Sequence, residues 1–372
     1  MRIGLVTTLQ TNIGDDLIRD GVCALLRAAL KTRDLDFVSV NKHHPVRVYP
    51  AWHPLRLAHA ARLISTRKAG RLARGLKAFS SHNLFEKCDM VVQCGTPVLW
   101  PGCSRSEWAD LLWYAILGRL HQRIPVLNLA AGSCYPWERQ PASIESPDDL
   151  AYATAMLSFS RLTTARDRLT VRLLAPLGRV QTPLLPCTAF LATDARAAPR
   201  SGDGPVLINY MAGGGHYDWD QRIDSAQWHK TVRSVVDHLA HRHHLVFLCH
   251  DTREYDLARD MAGAIPRVLP RNTAEYLALV AGAKACLCNR MHAAVALAAS
   301  GTPSVAVCTD TRLLMVETLG LPCLYVKQAE AGLLEATIED LIARRQQERE
   351  RLTVLQDLTR QQYLEWIMGA IR

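Results

Sequence analysis

Short apolar runs and longer amphipathic stretches alternate along this chain. Residues 3–7 form a strand-like run that ends in the polar Gln10-Thr11-Asn12. Behind it Leu17, Ile18, Val22, Leu25, Leu26 and Leu30 recur at spacings of three and four, the period of a helix with one buried face. Asp15 and Asp16 stand at its start, where carboxylates meet the positive end of the helix dipole. Runs at 36–40, 90–93 and 125–129 predict further strands, with helical material between them. Periodicity lapses over 194–205, a stretch of Ala, Arg, Ser, Gly, Asp and Pro that reads as a linker. Beyond it strands at 206–209, 245–249, 285–288 and 304–307 alternate with helices at 225–240, 254–262 and 292–299, and 338–372 reads as helical to the end. Continuous apolar strands alternating with helices predict parallel sheets covered on both faces. The expected fold is α/β, with two doubly wound Rossmann-like domains facing a cleft. They cover 1–193 and 206–350, and residues 351–372 form a C-terminal helix expected to pack back on the N-terminal domain. Ligands of such sheets sit at the carboxyl ends of the strands.

Composition narrows the class. Of 372 residues 49% are hydrophobic and 21% charged, which suits a packed globular protein and is too apolar for disorder. No uninterrupted apolar run approaches the roughly 18 residues of a membrane span. The first residues, MRIGLVTT, enter a strand without a secretory leader. Eleven scattered cysteines without a CxxC pair read as reduced thiols of a cytoplasmic protein. The net charge is +9, and its source is local. Between Asp36 and Glu86 there is no acid, but there are nine basic residues within 42–77: Lys42, Arg47, Arg56, Arg62, Arg67, Lys68, Arg71, Arg74 and Lys77. A nucleic-acid binder spreads such charge over its binding face, so none is expected here. From 55 to 79 the arginines alternate with Leu57, Leu63, Ile64, Leu72, Leu76 and Phe79. Two readings stand. The segment is a solvated helical face, or it binds an anionic surface through Arg67, Arg71 and Arg74. That surface would be the inner membrane leaflet, with the protein peripheral to it, or the diphosphate of a lipid-linked saccharide.

The predicted strand ends carry Asn12, Gly14 and Asp15; Gly95 and Thr96; Gly132 and Ser133; Gly213, Gly214 and Gly215; His250 and Asp251; and Asn289, Arg290 and His292. Arg290 and His292 stand at a helix N-terminus, where backbone N–H groups already favour an anion. An arginine adds a planar fork for carboxylate or phosphate, and a histidine a proton near neutral pH. The plainer reading has Arg290 paired with an acid and His292 capping the helix. Gly213-Gly214-Gly215 lacks the Lys-Ser/Thr of a phosphate loop and reads as a mobile cleft loop that includes His216 and Tyr217. His250 touches a ligand, orders that loop, or merely caps a strand. His238, His241, His243 and His244 span a helix end and a strand start and do not converge on one ion, so no metal and no cofactor are expected.

Three ordered blocks resemble the polysaccharide pyruvyl transferase family. Asn12-Ile13-Gly14-Asp15 resembles its N-terminal turn. The stretch from Thr164-Ala165-Arg166-Asp167 to Leu177-Gly178 resembles its Arg-Asp block. Asn289-Arg290-Met291-His292-Ala293 with Gly301-Thr302-Pro303 resembles its Arg-x-His-Ala and Gly-x-Pro signature. Departures occur at Cys94-Gly95-Thr96-Pro97 in place of a triple glycine, at Cys187 where aspartate is common, and at Arg312 where lysine is usual.

The resemblance implies a GT-B-like pair of domains, acceptor on the N-terminal side and donor on the C-terminal side. It implies transfer of a pyruvyl group from phosphoenolpyruvate, as co-substrate, to a saccharide in polysaccharide or glycoconjugate synthesis, lipid-linked if the basic segment binds such a carrier. Such chemistry must hold a trianionic donor, protonate its C3 and admit an acceptor hydroxyl at C2. Arg290, Arg166 and Arg312 are then the donor's cationic partners, with Asn289 and His250 beside them. His292 is either the acid for C3 or a phosphate ligand. Asp15 is either the acceptor's base or an ordinary helix-start acid, and Asn12, Gly95, Thr96 and Gly213–Gly215 line the acceptor side and loop. The rival functions are a GT-B glycosyltransferase using a nucleotide sugar and a non-catalytic member of the family.

Overall fold

The computed structural model describes residues 1–9, 12–32, 34–178, 181–197 and 204–372. Of the linker expected over 194–205, residues 198–203 lie outside the described residues. Strands β1 (Arg2–Thr7), β2 (Asp36–Asn41), β3 (Met90–Cys94), β4 (Pro97–Leu99), β5 (Val126–Ser133) and β6 (Leu162–Ala165) build the first sheet. Helices α1 (Ile13–Ala29), α2 (Pro54–Ala60), α3 (Thr66–Gly75), α4 (Lys77–Ser80), α5 (Gly118–Leu120), α6 (Pro147–Phe159) and α7 (Arg168–Leu174) accompany it. The second sheet contains β7 (Val206–Asn209), β8 (Leu245–Leu248), β9 (Arg267–Val268), β10 (Ala285–Cys288), β11 (Ser304–Cys308) and β12 (Cys323–Tyr325). With it run α8 (Ser225–Ala240), α9 (Thr252–Ala262), α10 (Thr273–Ala281), α11 (Met291–Ala299), α12 (Leu314–Glu317), α13 (Ala331–Ala343) and α14 (Arg345–Ile371).

All the strand pairs are parallel. The first sheet has the order β2-β1-β3-β5-β6, with β4 also on β5. The second has β12-β11-β10-β7-β8-β9. Each order reverses direction once, between β1 and β3 and between β7 and β10. At such a reversal the crossover helices part to opposite faces and leave a crevice beyond the strand ends. Both crevices open toward the same space, so the sequence around Thr8, Thr96, Asn209 and Arg290 faces a common cleft.

One core joins the two sheets. It includes Leu17, Ile18 and Val22 of α1, Leu185 to Leu191, and Ala293 to Ala299 of α11. Helix α11 is mostly alanine and almost wholly buried, so its slim cylinder packs on both α1 and the Thr188–Leu191 turn, which also pack closely on each other. Gly21 permits that approach, since a Cβ there would overlap the Thr188 carbonyl. The single helix expected over 338–372 is corrected. The chain breaks at Arg344 into α13 and α14 because Arg344 leaves helical geometry, with φ −99° and ψ 13°. Helix α14 returns to the N-terminal domain, where the Tyr363 hydroxyl donates to the Pro186 carbonyl at 2.9 Å. Among the described residues no helix is long and apolar enough to cross a membrane.

Candidate functional site

The cleft between the sheets has a volume of about 490 Å³. Asp15, Lys42, Thr96, Trp100, Trp108 and Arg166 line its N-terminal wall, and His216, Tyr217, Asp251, Arg253, Arg290, His292 and Arg312 its C-terminal wall. Asn12 is also on the wall, and its Oδ1 accepts from the Gly14 N–H at 2.9 Å to cap α1. Gly14 is required here, because a Cβ would come within 2.7 Å of the His292 Cβ. The absence of a side chain lets the N-termini of α1 and α11 meet across the domain boundary. Two partial positive ends therefore converge on one point.

Arg166 follows β6 and is 1% exposed. Its backbone N–H donates to the Ala131 carbonyl, and its guanidinium lies over Gly132, where a Cβ would collide with Nε. Nη1 points to His292 Nε2 at 3.3 Å and to Cys187 Sγ at 3.7 Å. Nη2 is buried with no partner among the described residues. With a thiol at 187, in place of the aspartate that the resemblance leads one to expect, no carboxylate among the described residues bonds this guanidinium directly, and Asp15 is the acid whose charge it feels. Because arginine only donates, His292 Nε2 is the acceptor of the pair and His292 is neutral. Burial, and then the charges of Arg166 and Arg312, hold its pKa well below the usual 6.5.

The other two arginines are partnered. Arg290 donates from Nε to Glu254 and from Nη2 to Asp251 at 2.8 Å. Arg312 forms a two-pronged pair with Asp310, at 2.8 and 2.6 Å, and stacks 5.0 Å over the Tyr217 ring. Both side chains still line the cleft. The acid pairing weighed for Arg290 is therefore present, and it orients the guanidinium without removing it from the wall.

Asn289 and His250 do not line the cleft. Asn289 receives the Met211 N–H and donates to the Val307 carbonyl, tying three strand ends together. His250 bonds the Tyr276 hydroxyl at 2.9 Å, and burial, followed by Arg290, drives its pKa down to about 3. Both are corrected from donor contacts to residues that hold the loops carrying Arg290. Gly95 packs against Ala130, where a Cβ on the glycine would stand 3.0 Å from the alanine Cβ, and only its neighbour Thr96 reaches the wall. Gly213, Gly214 and Gly215 also lie off the wall. Gly214 has φ +73° and Gly215 is pressed on Thr309, so they shape the turn that presents His216 and Tyr217. His238 and His243 pair with Glu335 and Glu339 on α13, away from the cleft.

Sequence reasoning missed Lys42. It sits at the end of β2, 6% exposed, donating to Thr96 Oγ1 and lying 5.0 Å from the Trp108 ring. Burial lowers its pKa to about 8, against the pull of Asp15. Asp15 in turn is raised above 3.8 by burial, with Lys42 and Arg166 opposing. The aromatics Trp100 and Trp108, 5.5 Å apart, were also missed. They are close in space to residues far from them in sequence, and no spacing rule connects them. Across the gap Tyr217 and Trp219 lie 5.3 Å apart. Flat indole faces beside hydrogen-bonding groups suit the apolar face of a ring that also carries hydroxyls.

A family model of the polysaccharide pyruvyl transferases matches residues 12–310. The chain belongs to the polysaccharide pyruvyl transferase family. The match spans the Asn12 turn, Arg166, Arg290 and His292, and Arg312 lies just beyond it. No curated protein matches the sequence. Among solved structures the chain is similar to the Staphylococcus aureus MnaA–UDP structure, with TM-score 0.54, 12% identity, and coverage of 95% of this chain and 90% of that one. It is also similar to the Neisseria meningitidis UDP-GlcNAc 2-epimerase bound to UDP-GlcNAc, with TM-score 0.54, 12% identity, and coverage of 98% and 100%. A Methanocaldococcus jannaschii UDP-GlcNAc 2-epimerase gives TM-score 0.52 at 15% identity, covering 92% and 93%. At such identities these show the fold, a GT-B-like pair of α/β domains.

Proposed function

We propose that this pyruvyl transferase family member takes its pyruvyl group from phosphoenolpyruvate and gives it to a saccharide hydroxyl. One observation carries the reading. Among the described residues, Lys42, Arg166, Arg253, Arg290 and Arg312 line a single cleft, and the most buried, Arg166, has an unpartnered Nη2. Asp15, Asp251, Glu254 and Asp310 answer the other four cations, so the charge left over is centred on buried Arg166, and it is costly without an anion. A donor with one carboxylate and one phosphate would offset it. Each charge-assisted bond would contribute roughly 1.5–3 kcal/mol.

The chemistry follows from the placement. Arg166 and the two helix N-termini hold the phosphate, and Arg290 and Arg312 the carboxylate. The bound trianion raises the basicity of His292, which then takes and delivers the proton that goes to C3. As C3 gains that proton, positive charge develops at C2 and a saccharide hydroxyl bonds there. Asp15, whose carboxylate form Lys42 and Arg166 favour against the effect of burial, accepts the hydroxyl proton. The C2–O bond to phosphate breaks with its electron pair leaving on phosphate, and a second hydroxyl then bonds to C2 and closes the ketal, its proton passing to the departing phosphate. Trp100 and Trp108 stack on the sugar. The unpaired cysteines fit a reducing, cytoplasmic setting.

The direct test incubates the protein with phosphoenolpyruvate and a panel of saccharides, following phosphate release and the acceptor's mass. Phosphate release matched by a gain of one pyruvate ketal on a saccharide is the expected result. Transfer from a UDP-sugar, with phosphoenolpyruvate inert, overturns the proposal.

A further inference from the structure

Beyond Lys42 and His43 the basic segment between β2 and β3 leaves the cleft wall, and its structure gives it a separate task. Helix α3 packs through Ala69, Gly70 and Ala73 on the π-helical stretch Ala109–Leu117. The approach is close, since a Cβ on Gly70 would stand 2.6 Å from the Asp110 Cβ. With the small residues turned inward, Arg67, Lys68, Arg71 and Arg74 are all turned out to solvent. Arg62 before the helix and Lys77 after it are exposed as well. Arg74 stacks on Tyr114 at 4.4 Å; none of the other five has a carboxylate partner among the described residues. Elsewhere on the surface arginines are commonly paired, as Arg196 with Asp357 and Arg271 with Glu275 are.

Apolar side chains stand among these cations. Trp52, Leu57, Leu63 and Leu76 are 60%, 55%, 74% and 54% exposed. Leu63 is the most exposed of the large hydrophobics, and it follows Arg62, whose φ of +58° sets the turn between α2 and α3. A solvated face keeps its leucines inside. Nucleic acid offers charge without an apolar layer in which leucine could sit. An anionic bilayer offers both, a negative headgroup plane and acyl chains just beneath it.

We propose that the α2–α3–α4 face docks on an anionic lipid bilayer, with Leu57, Leu63 and Leu76 entering the headgroup layer and Arg67, Lys68 and Arg71 meeting its charge. The segment begins at Lys42 and His43 on the cleft wall, so docking brings the cleft beside the membrane. If the saccharide reading of the cleft is right, a lipid-carried acceptor would be within its reach.

The test is sedimentation of the full-length protein with vesicles of phosphatidylcholine, alone or with about a third phosphatidylglycerol, at several salt concentrations. Binding to the anionic vesicles alone, weakening with salt, is expected. In R67Q/K68Q/R71Q it falls about 100-fold, because each basic side chain near such a surface contributes about fivefold. Leu63→Ser weakens it as well, while both variants keep the parental melting temperature and phosphoenolpyruvate binding. Equal partition onto neutral vesicles, an unaffected triple variant, or tighter binding to a duplex DNA of matched charge overturns the proposal. Vesicle binding needs no donor, so its failure leaves the reading of the cleft untouched, and the reverse also holds.

Discussion

Arg166 and Arg290 both present guanidinium groups to the cleft, but they are held in opposite ways. Removing Arg290 would leave the buried Glu254 without its cation, while the partly exposed Asp251 keeps Arg253, and such a break costs roughly 3–5 kcal/mol. Loss of donor binding in Arg290→Ala would therefore be confounded with unfolding. Arg166 has no carboxylate in hydrogen-bond contact among the described residues. Arg166→Gln is predicted to keep the melting temperature, because it removes a buried charge that faces other cations and its amide can still donate to His292, while Asp15 loses one favourable charge and phosphoenolpyruvate affinity falls about 100-fold. Differential scanning fluorimetry and calorimetric titration of the same sample check both halves. Lys42 gives a second residue-scale prediction. Its pKa of about 8 means that its charge is lost as pH rises through that value. Asp15 then loses its partner, so kcat should decline above about pH 8, and a pH–rate profile of Lys42→Met should lack that limb. Arg166 and His292 were legible in the sequence because each lies in a compact motif. Lys42 was hidden among nine basic residues, since only the fold tells that one of them points inward. Polar residues at strand ends misled in the other direction. Asn289 and His250 sit where ligand contacts are expected, but strand ends must also be tied to one another, and that is their role.

At the level of elements, the meeting of α1 and α11 positions the site. Gly14→Ala drives a methyl into His292 and must push the helix ends apart, at a cost of about 1–3 kcal/mol for overpacking. Activity should fall further than the melting temperature accounts for, because His292 and Asn12 lose their register; a kcat measured well below the unfolding range checks this. The strands β1, β3, β5, β7, β8, β10 and β11, of four to eight residues, were legible because both of their faces are buried, which makes their sequence mostly apolar. Strands β4, β9 and β12, of two or three residues, were not, and neither was β6, whose Leu-Thr-Thr-Ala is half polar. Such an element shows no apolar run, and its strand state comes from the neighbour it pairs with. The division of α13 from α14 was missed for a related reason, because Arg344 is a good helix former whose departure from helix geometry is imposed by packing.

For the whole molecule, α14 works as a clasp between the domains. Gln356 is fully buried; its Nε2 reaches the Phe190, Thr193 and Ala299 carbonyls at 2.6–3.1 Å, and its Oε1 receives the Ala195 N–H. Gln356→Leu would leave those groups unsatisfied at a cost of about 1–3 kcal/mol each where water cannot enter, lowering the melting temperature by several degrees. Acid should destabilise the protein in a defined window. His250 and His292 are kept neutral in the fold, but in the unfolded chain each takes a proton near pH 6.5. Stability is thus fully present above pH 6.5 and lost as pH falls toward their folded values, by about 1.4 kcal/mol per histidine per pH unit. Melting temperature against pH, with His250→Gln showing a shallower fall, checks it. The central claim is that the basic cleft is a phosphoenolpyruvate site, and calorimetric titration of the wild type and Arg166→Gln with phosphoenolpyruvate and with UDP tests it most directly. Saturable binding of phosphoenolpyruvate that weakens about 100-fold in Arg166→Gln is the predicted result; binding of UDP alone, or equal phosphoenolpyruvate affinity in both proteins, would contradict it.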